Sequence, residues 1–220
     1  MAGSYTTDKI RNIVLLGHSG CGKTSLAEAM LYDTGAINRL GRVEDGNTIS
    51  DYDEEEISRT MSLNLSVIPC EWEGTKINVL DAPGYTDFQG EMLSGMHVAD
   101  TVVLVMDGTA GVEVGTQLSW QMAENNQKPM AVFVNKMDRE NANYRQVIDQ
   151  LGDAFDARFV PMQLPIRTGG KFEGLVDLIT QKAHTGTGKT GDPPVDMADD
   201  IEEFRMQLVE YAAEGDDELM

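Results

Sequence analysis

The chain has 220 residues, 41% hydrophobic and 25% charged, enough to bury a sizeable core as one soluble domain with at most a small appendage. Seventeen Lys and Arg stand against 37 Asp and Glu, and the net charge of −20 opposes direct binding of nucleic acid or of an anionic membrane by this segment alone. No signal-peptide core opens the chain and no apolar run approaches about 18 residues, which predicts a cytoplasmic protein that does not cross a membrane.

The first apolar run, Ile13, Val14, Leu15 and Leu16, predicts a strand, and SLAEAM from Ser25 reads as a helix. Between them lies GHSGCGKT, residues 17–24. A strand, a glycine-rich loop and a helix are the context of a phosphate-binding P-loop. Gly17, Gly20 and Gly22 let the backbone bend sharply and turn several N–H groups toward one anion. The candidate cradle is therefore His18, Ser19, Gly20, Cys21, Gly22, Lys23, Thr24 and Ser25. Lys23 is expected to act as a point charge on the β/γ-phosphates, and the Thr24 hydroxyl to ligate a bridging magnesium ion. His18 is given a structural role, because nothing nearby resembles its catalytic partner. Cys21 and Cys70 make no disulfide framework and have no metal-like spacing.

Residues 35–58 sustain neither the helical nor the strand period, and a loop that long is functional or mobile. Its acidic run, Asp51, Asp53, Glu54, Glu55 and Glu56, reads as a solvated face with no metal assigned. Alternation over 62–68 predicts one strand and 76–80 a second, antiparallel to it across a Glu73-Gly74 turn. The second ends in Asp81-Ala82-Pro83-Gly84. A carboxylate there suits holding a magnesium-bound water, and Gly84 lets its N–H approach a γ-phosphate.

Further on, a helix over 89–99, a strand over 101–106, a helix over 112–125 and a strand over 130–134 alternate regularly. Tyr144, Val147, Ile148 and Leu151 then recur as the stripe of a packed helix. This order predicts a mainly parallel sheet with right-handed crossovers and ligand-binding loops at the carboxyl ends of its strands. The last such strand runs into Asn135-Lys136-Met137-Asp138. Asp138 can accept from guanine N1–H and the exocyclic amine, Asn135 can bond near N7 and O6, and the Lys136 stem can lie along the ring. Adenine offers the wrong donors, so the pattern selects guanine nucleotides, GTP and GDP. A second GKT at Gly188-Lys189-Thr190 lacks the leading glycine and is followed by Pro193 and Pro194, so 184–194, including His184, is read as a flexible turn without phosphate binding. His97 reads as a surface or packing residue, and the thirteen methionines as core fillers.

Together these motifs give the chain a resemblance to translational GTPases, in particular the elongation factor G group. RNIVLLGHSGCGKTSLAEAML, RLGRVEDGNTISDYDEEEISRTMSLNLS, INVLDAPGYTDF, AGVEVGTQ, FVNKMDRENANY and VPMQLPI fall in the family's order and spacing over essentially the whole chain. The resemblance implies an α/β P-loop NTPase fold with one antiparallel strand, its GTP-binding core over 1–165 and a small α+β insert over 166–220. It implies GTP hydrolysis by a cytoplasmic, ribosome-associated factor requiring Mg2+. In those terms 35–61 is switch I, 82–90 is switch II, and Ser62 stands where the family places a magnesium-binding threonine. Thr24, Ser62 and Asp81 become the magnesium set, and Lys23, Gly84 and Tyr85 the groups about the reacting phosphate. Ile201, Phe204, Leu208 and Tyr211 would form the inward stripe of the insert helix.

Three departures from the family pattern carry expectations. Tyr85 replaces a histidine thought to orient the attacking water; either a bulkier phenol there slows hydrolysis or shifts its dependence on a partner, or Tyr85 simply packs in switch II. A regulatory switch with little hydrolysis is the alternative reading. Gly20 removes a possible ligand for a monovalent cation. The family's further strand with a Ser-Ala motif over the guanine is missing, and the chain stops at 218–220 inside an apparent helix. It therefore reads as an N-terminal fragment with an unpaired sheet edge and weakened nucleotide affinity.

Overall fold

The computed structural model describes residues 5–186 and 188–214, so the expected helical ending at 218–220 lies outside the described residues. The chain divides into two compact units, Met1–Asn135 and Lys136–Met220.

In the first unit the strands are β1 (Ile10–Leu16), β2 (Ser66–Trp72), β3 (Thr75–Asp81), β4 (Thr101–Asp107) and β5 (Met130–Asn135). They form one sheet in the order β2-β3-β1-β4-β5, with β2 antiparallel to β3 and all other pairs parallel. The expected mostly parallel α/β sheet with one antiparallel strand is what forms. Its helices are α1 (Lys23–Asp33), α2 (Glu54–Arg59), α3 (Gln89–Val98) and α4 (Val114–Asn125). β1 shows why both faces must be covered. Val14 and Leu16 join Met92, Met96, Val102, Met122 and Ala123 in one core, whereas Leu15 joins Ala27, Leu31, Ile68, Val79 and Val105 in another. Successive side chains of a strand alternate between faces, so a continuous apolar run serves two cores at once. Deleting one such side chain, for example Met96→Ala, typically costs about 2–5 kcal/mol.

The approach of α3 to the sheet is close enough to fix its residue type. A Cβ on Gly95 would lie 2.9 Å from a Val14 methyl and 3.0 Å from Leu65. The same helix holds the chain beside it through Glu91, whose Oε2 accepts from Leu65 N at 2.8 Å.

The predicted hairpin is present, with Glu73 and Gly74 both at positive φ (47° and 74°), the primed geometry that matches strand twist. Its first strand starts at Ser66, not Ser62. Residues 63–65 are instead held by side-chain carboxylates, described below. The acidic run is also corrected. Asp53 caps α2, accepting from Glu55 N at 2.8 Å, and Glu56 and Asp51 are buried at 1% and 5% exposure. Only Glu54 and Glu55, with Asp53, keep a solvated face.

The second unit contains α5 (Tyr144–Ala154), the antiparallel sheet β6-β7-β8-β9 and α6 (Ala198–Ala213). The strands are β6 (Gln163–Thr168), β7 (Lys171–Asp177), β8 (Lys182–Thr185) and β9 (Lys189–Gly191). Leu164, Ile166, Val176, Leu178 and Ala183 pack with Ile201 and Phe204 of α6, and Tyr144 and Leu208 lie against them. Three members of the predicted α6 stripe, Ile201, Phe204 and Leu208, are therefore inward, while the ring of the fourth, Tyr211, carries Arg158 at 5.3 Å. Residues 184–185 and 189–191 form strand where a flexible turn was expected. They belong largely to the β8–β9 hairpin, in which His184 pairs with Thr190.

Candidate functional site

β1 ends at Leu16, and the chain then makes the bend the glycines permit. Gly17 (φ 143°) and Gly22 (φ 102°) lie in left-handed territory where a Cβ would collide with the Val105 carbonyl and with the Asn135 amide. Gly22 is the N-cap of α1 and no side chain caps that helix, so its first-turn N–H groups are presented at the loop. Asn135, at the end of β5, closes the loop from the other side by donating Nδ2–H to Cys21 O at 2.9 Å.

Lys23 is buried at 6% exposure, and its ammonium donates to the carbonyls of Gly17 (3.2 Å) and His18 (3.1 Å). Gly84 faces it closely. A Cβ there would fall 2.5 Å from Lys23 Nζ and 2.8 Å from the Ser19 backbone. His18 has a partner that adjacency in sequence did not show. Gly115 N donates to its Nδ1 at 3.2 Å, leaving Nε2 as the protonated nitrogen of the neutral ring, 3.5 Å from Glu113 Oε1. The loop is thus tied to the start of α4.

Thr24 Oγ1 donates to Asp81 Oδ2 at 2.7 Å and lies 3.1 Å from Ser62 Oγ. Ser62 in turn donates to Asp51 Oδ1 at 2.7 Å. Asp81 is almost wholly buried, and its Oδ1 has no hydrogen-bond partner among the described residues. Burial pushes its carboxyl up to about 6, against the opposing pull of the Thr24 hydroxyl and the Lys23 ammonium. Burial likewise raises Asp51, which the Ser62 hydroxyl partly offsets. Two hydroxyls and an unsatisfied carboxylate oxygen are a hard-oxygen set, and they fit a magnesium ion chemically.

Segment 40–64 is held over this set by two carboxylates, Glu28, which the sequence reading did not single out, and Glu56, which it placed on a solvated face. Glu28 of α1 accepts from Gly41 N and Ile49 N, both at 3.0 Å. Glu56 accepts from Asp53 N (3.3 Å), Leu63 N (2.9 Å) and Asn64 N (3.0 Å). The spacing Asp53-x-x-Glu56 was a readable capping-box signal, whereas nothing in the sequence marked Glu28. The resulting cleft, of about 310 Å3, is bounded by Ser19, Gly20 and Gly22 to Ser25 on one side, Val43, Glu44, Asp51 and 59–62 on another, and Gly84 and Tyr85 on the third. Tyr85 is 43% exposed at its rim.

Residues 8–215 match the family model described as the elongation factor Tu GTP binding domain. The chain belongs to that family. Elongation factor G of Granulibacter bethesdensis is 36% identical over 97% of this chain. The crystal structure of a Thermus thermophilus protein superposes with a TM-score of 0.92 at 36% identity over 96% of it. The chain spans about a third, 32%, of the length of each of these relatives. Within this elongation factor Tu GTP binding domain, the first unit brings together His18 to Ser25, Ser62, Asp81, Gly84, Tyr85 and Asn135. Lys136, at φ 59°, and exposed Asp138 open the second unit, in the turn after β5. The second GKT runs from the turn residue Gly188 into β9, with no α-helix directly after it, so it lacks the loop-to-helix geometry of the first.

Proposed function

We propose that the chain is the GTP-binding and GTP-hydrolysing part of an elongation-factor-G-like translation factor acting with the ribosome in the cytoplasm. The observation that carries the reading is the convergence of Lys23, Thr24, Ser62, Asp81 and Gly84 on one cleft in a member of this family. The GTP-binding core would run over 1–165, taking Lys136 and Asp138 with it, and 166–220 would be the insert. Ribosome contact would belong to the full-length protein.

Thr24 and Ser62, with Asp81 through a water, would hold Mg2+, which when bound neutralises charge on the β- and γ-phosphates. The N–H groups of His18 to Ser25 would cradle the phosphates, and Lys23 would exchange its carbonyl partners for phosphate oxygens. Gly84 N–H would meet the γ-phosphate, and Tyr85 would stand beside the attacking water. At the base, Asp138 would accept from guanine N1–H and its amine while Asn135 and Lys136 border the ring. Positioning and electrostatics supply most of the catalysis in phosphoryl transfer, so this arrangement suffices without a covalent intermediate.

Single-turnover GTP hydrolysis by the full-length protein, with and without ribosomes, tests the reading. Turnover stimulated by ribosomes is expected, and negligible turnover under both conditions would remove it. In titrations with a fluorescent GDP, ADP is expected not to compete.

A further inference from the structure

Arg167 sits in β6 at the point where its pairing with β7 slips by one residue. Its guanidinium spends its donors on main-chain carbonyls. Nη1 donates to Ala142 O at 2.5 Å, and Nη2 donates to Gly170 O at 2.6 Å and is shared between Arg139 O (3.1 Å) and Glu140 O (3.4 Å). Three of these acceptors belong to the turn that begins at Lys136 and carries Asp138, and the fourth belongs to the β6–β7 turn.

Two turn bonds, Arg139 N to Lys136 O and Ala142 N to Arg139 O, each 3.1 Å, run within this turn before Asn143 caps α5. Lys136 holds a left-handed φ of 59°, and Met137 and Ala142 are its buried anchors. Charged donors make shorter and stronger bonds than neutral ones, and a planar fork reaching several carbonyls at once imposes geometry as well as attraction. Removing it leaves carbonyls 140 and 142 without this donor, carbonyl 139 with only its bond from Ala142 N, and the turn to its own weak bonds.

We propose that Arg167 is a positioning residue for base selection: it fixes the backbone that carries Asp138, so that preference for guanine depends on the β6–β7 hairpin. The proposal rests on the reading of Asp138 as the guanine acceptor. No motif marks Arg167, since its role appears only when the bulge in β6 is seen beside the turn it holds.

The test compares GDP with IDP, which lacks the exocyclic amine that Asp138 would read, in the full-length protein. Dissociation constants are measured for the parent, Arg167→Ala and Arg167→Lys, with thermal unfolding alongside. The parent is expected to prefer GDP, and Arg167→Ala to shrink that preference about tenfold by weakening GDP more than IDP. Arg167→Lys, a compact ammonium able to reach fewer of the four carbonyls, should fall between and stays folded if the alanine variant does not. A lowered melting temperature with an unchanged GDP/IDP ratio in the folded variants overturns the proposal and leaves only a structural role. A parent with no preference for GDP overturns the reading of Asp138 itself.

Discussion

Asp81 has a carboxylate oxygen with no hydrogen-bond partner among the described residues, and burial raises its pKa to about 6. A carboxyl whose folded pKa exceeds its unfolded one contributes stability that is fully present below the unfolded value and is lost as pH rises through the folded one. Cation-free protein is therefore expected to lose stability from this group between about pH 4 and 6, on the order of 2–3 kcal/mol. Urea unfolding of the parent and Asp81→Asn across that range checks it, because the step should vanish in the variant. Over the same window protons compete with a cation, so Mg2+ affinity should rise with pH. At the rim, Tyr85 is a separate question of geometry. Tyr85→His is expected to speed single-turnover hydrolysis on ribosomes, and a rate no faster than the parent's would show that the phenol is not the brake.

Among the elements, α2 matters more than its six residues suggest. Glu56, on its inner side, accepts from three backbone amides and so sets the exit path of the chain into Ser62 to Asn64. Replacing Glu56 by alanine leaves three part-buried amide donors without their carboxylate, at a cost of about 1–3 kcal/mol. The loss should appear in denaturant midpoints. A second readout is faster proteolysis within 40–64, since that segment leans on this carboxylate and on Glu28 and has little strand pairing of its own. The sequence could not show this arrangement, because a run of five acids within six positions looks like a solvated face whether or not one of them turns inward. Alternation over 62–65 misled for a related reason: these residues join no strand, and the amides of Leu63, Asn64 and Leu65 donate to the side chains of Glu56 and Glu91.

At the scale of the molecule, the parallel sheet, its order of helices and the loop at 17–24 were legible because continuous apolar runs and glycine spacing report directly on burial and backbone bending. The β8–β9 hairpin was not, since Gly186, Gly188 and exposed Lys and Thr carry no burial pattern. The pairs His18 with Glu113 and Arg167 with the 139–142 carbonyls join positions far apart in the chain, which no local period encodes. Net charge acts globally. With −20 charges on 220 residues, screening should relieve self-repulsion, and raising KCl from about 0.02 to 0.3 M is expected to raise the melting temperature by several degrees. A flat or falling curve would show that attractive local pairs dominate instead. One close contact has a mechanical consequence. Because Gly95 brings α3 hard against Val14 and Leu65 while Glu91 grips Leu65 N, the strand of chain leaving Ser62 and the helix launched after Tyr85 are ends of a single linkage. A shim as thin as one methyl at position 95 would push on both ends together.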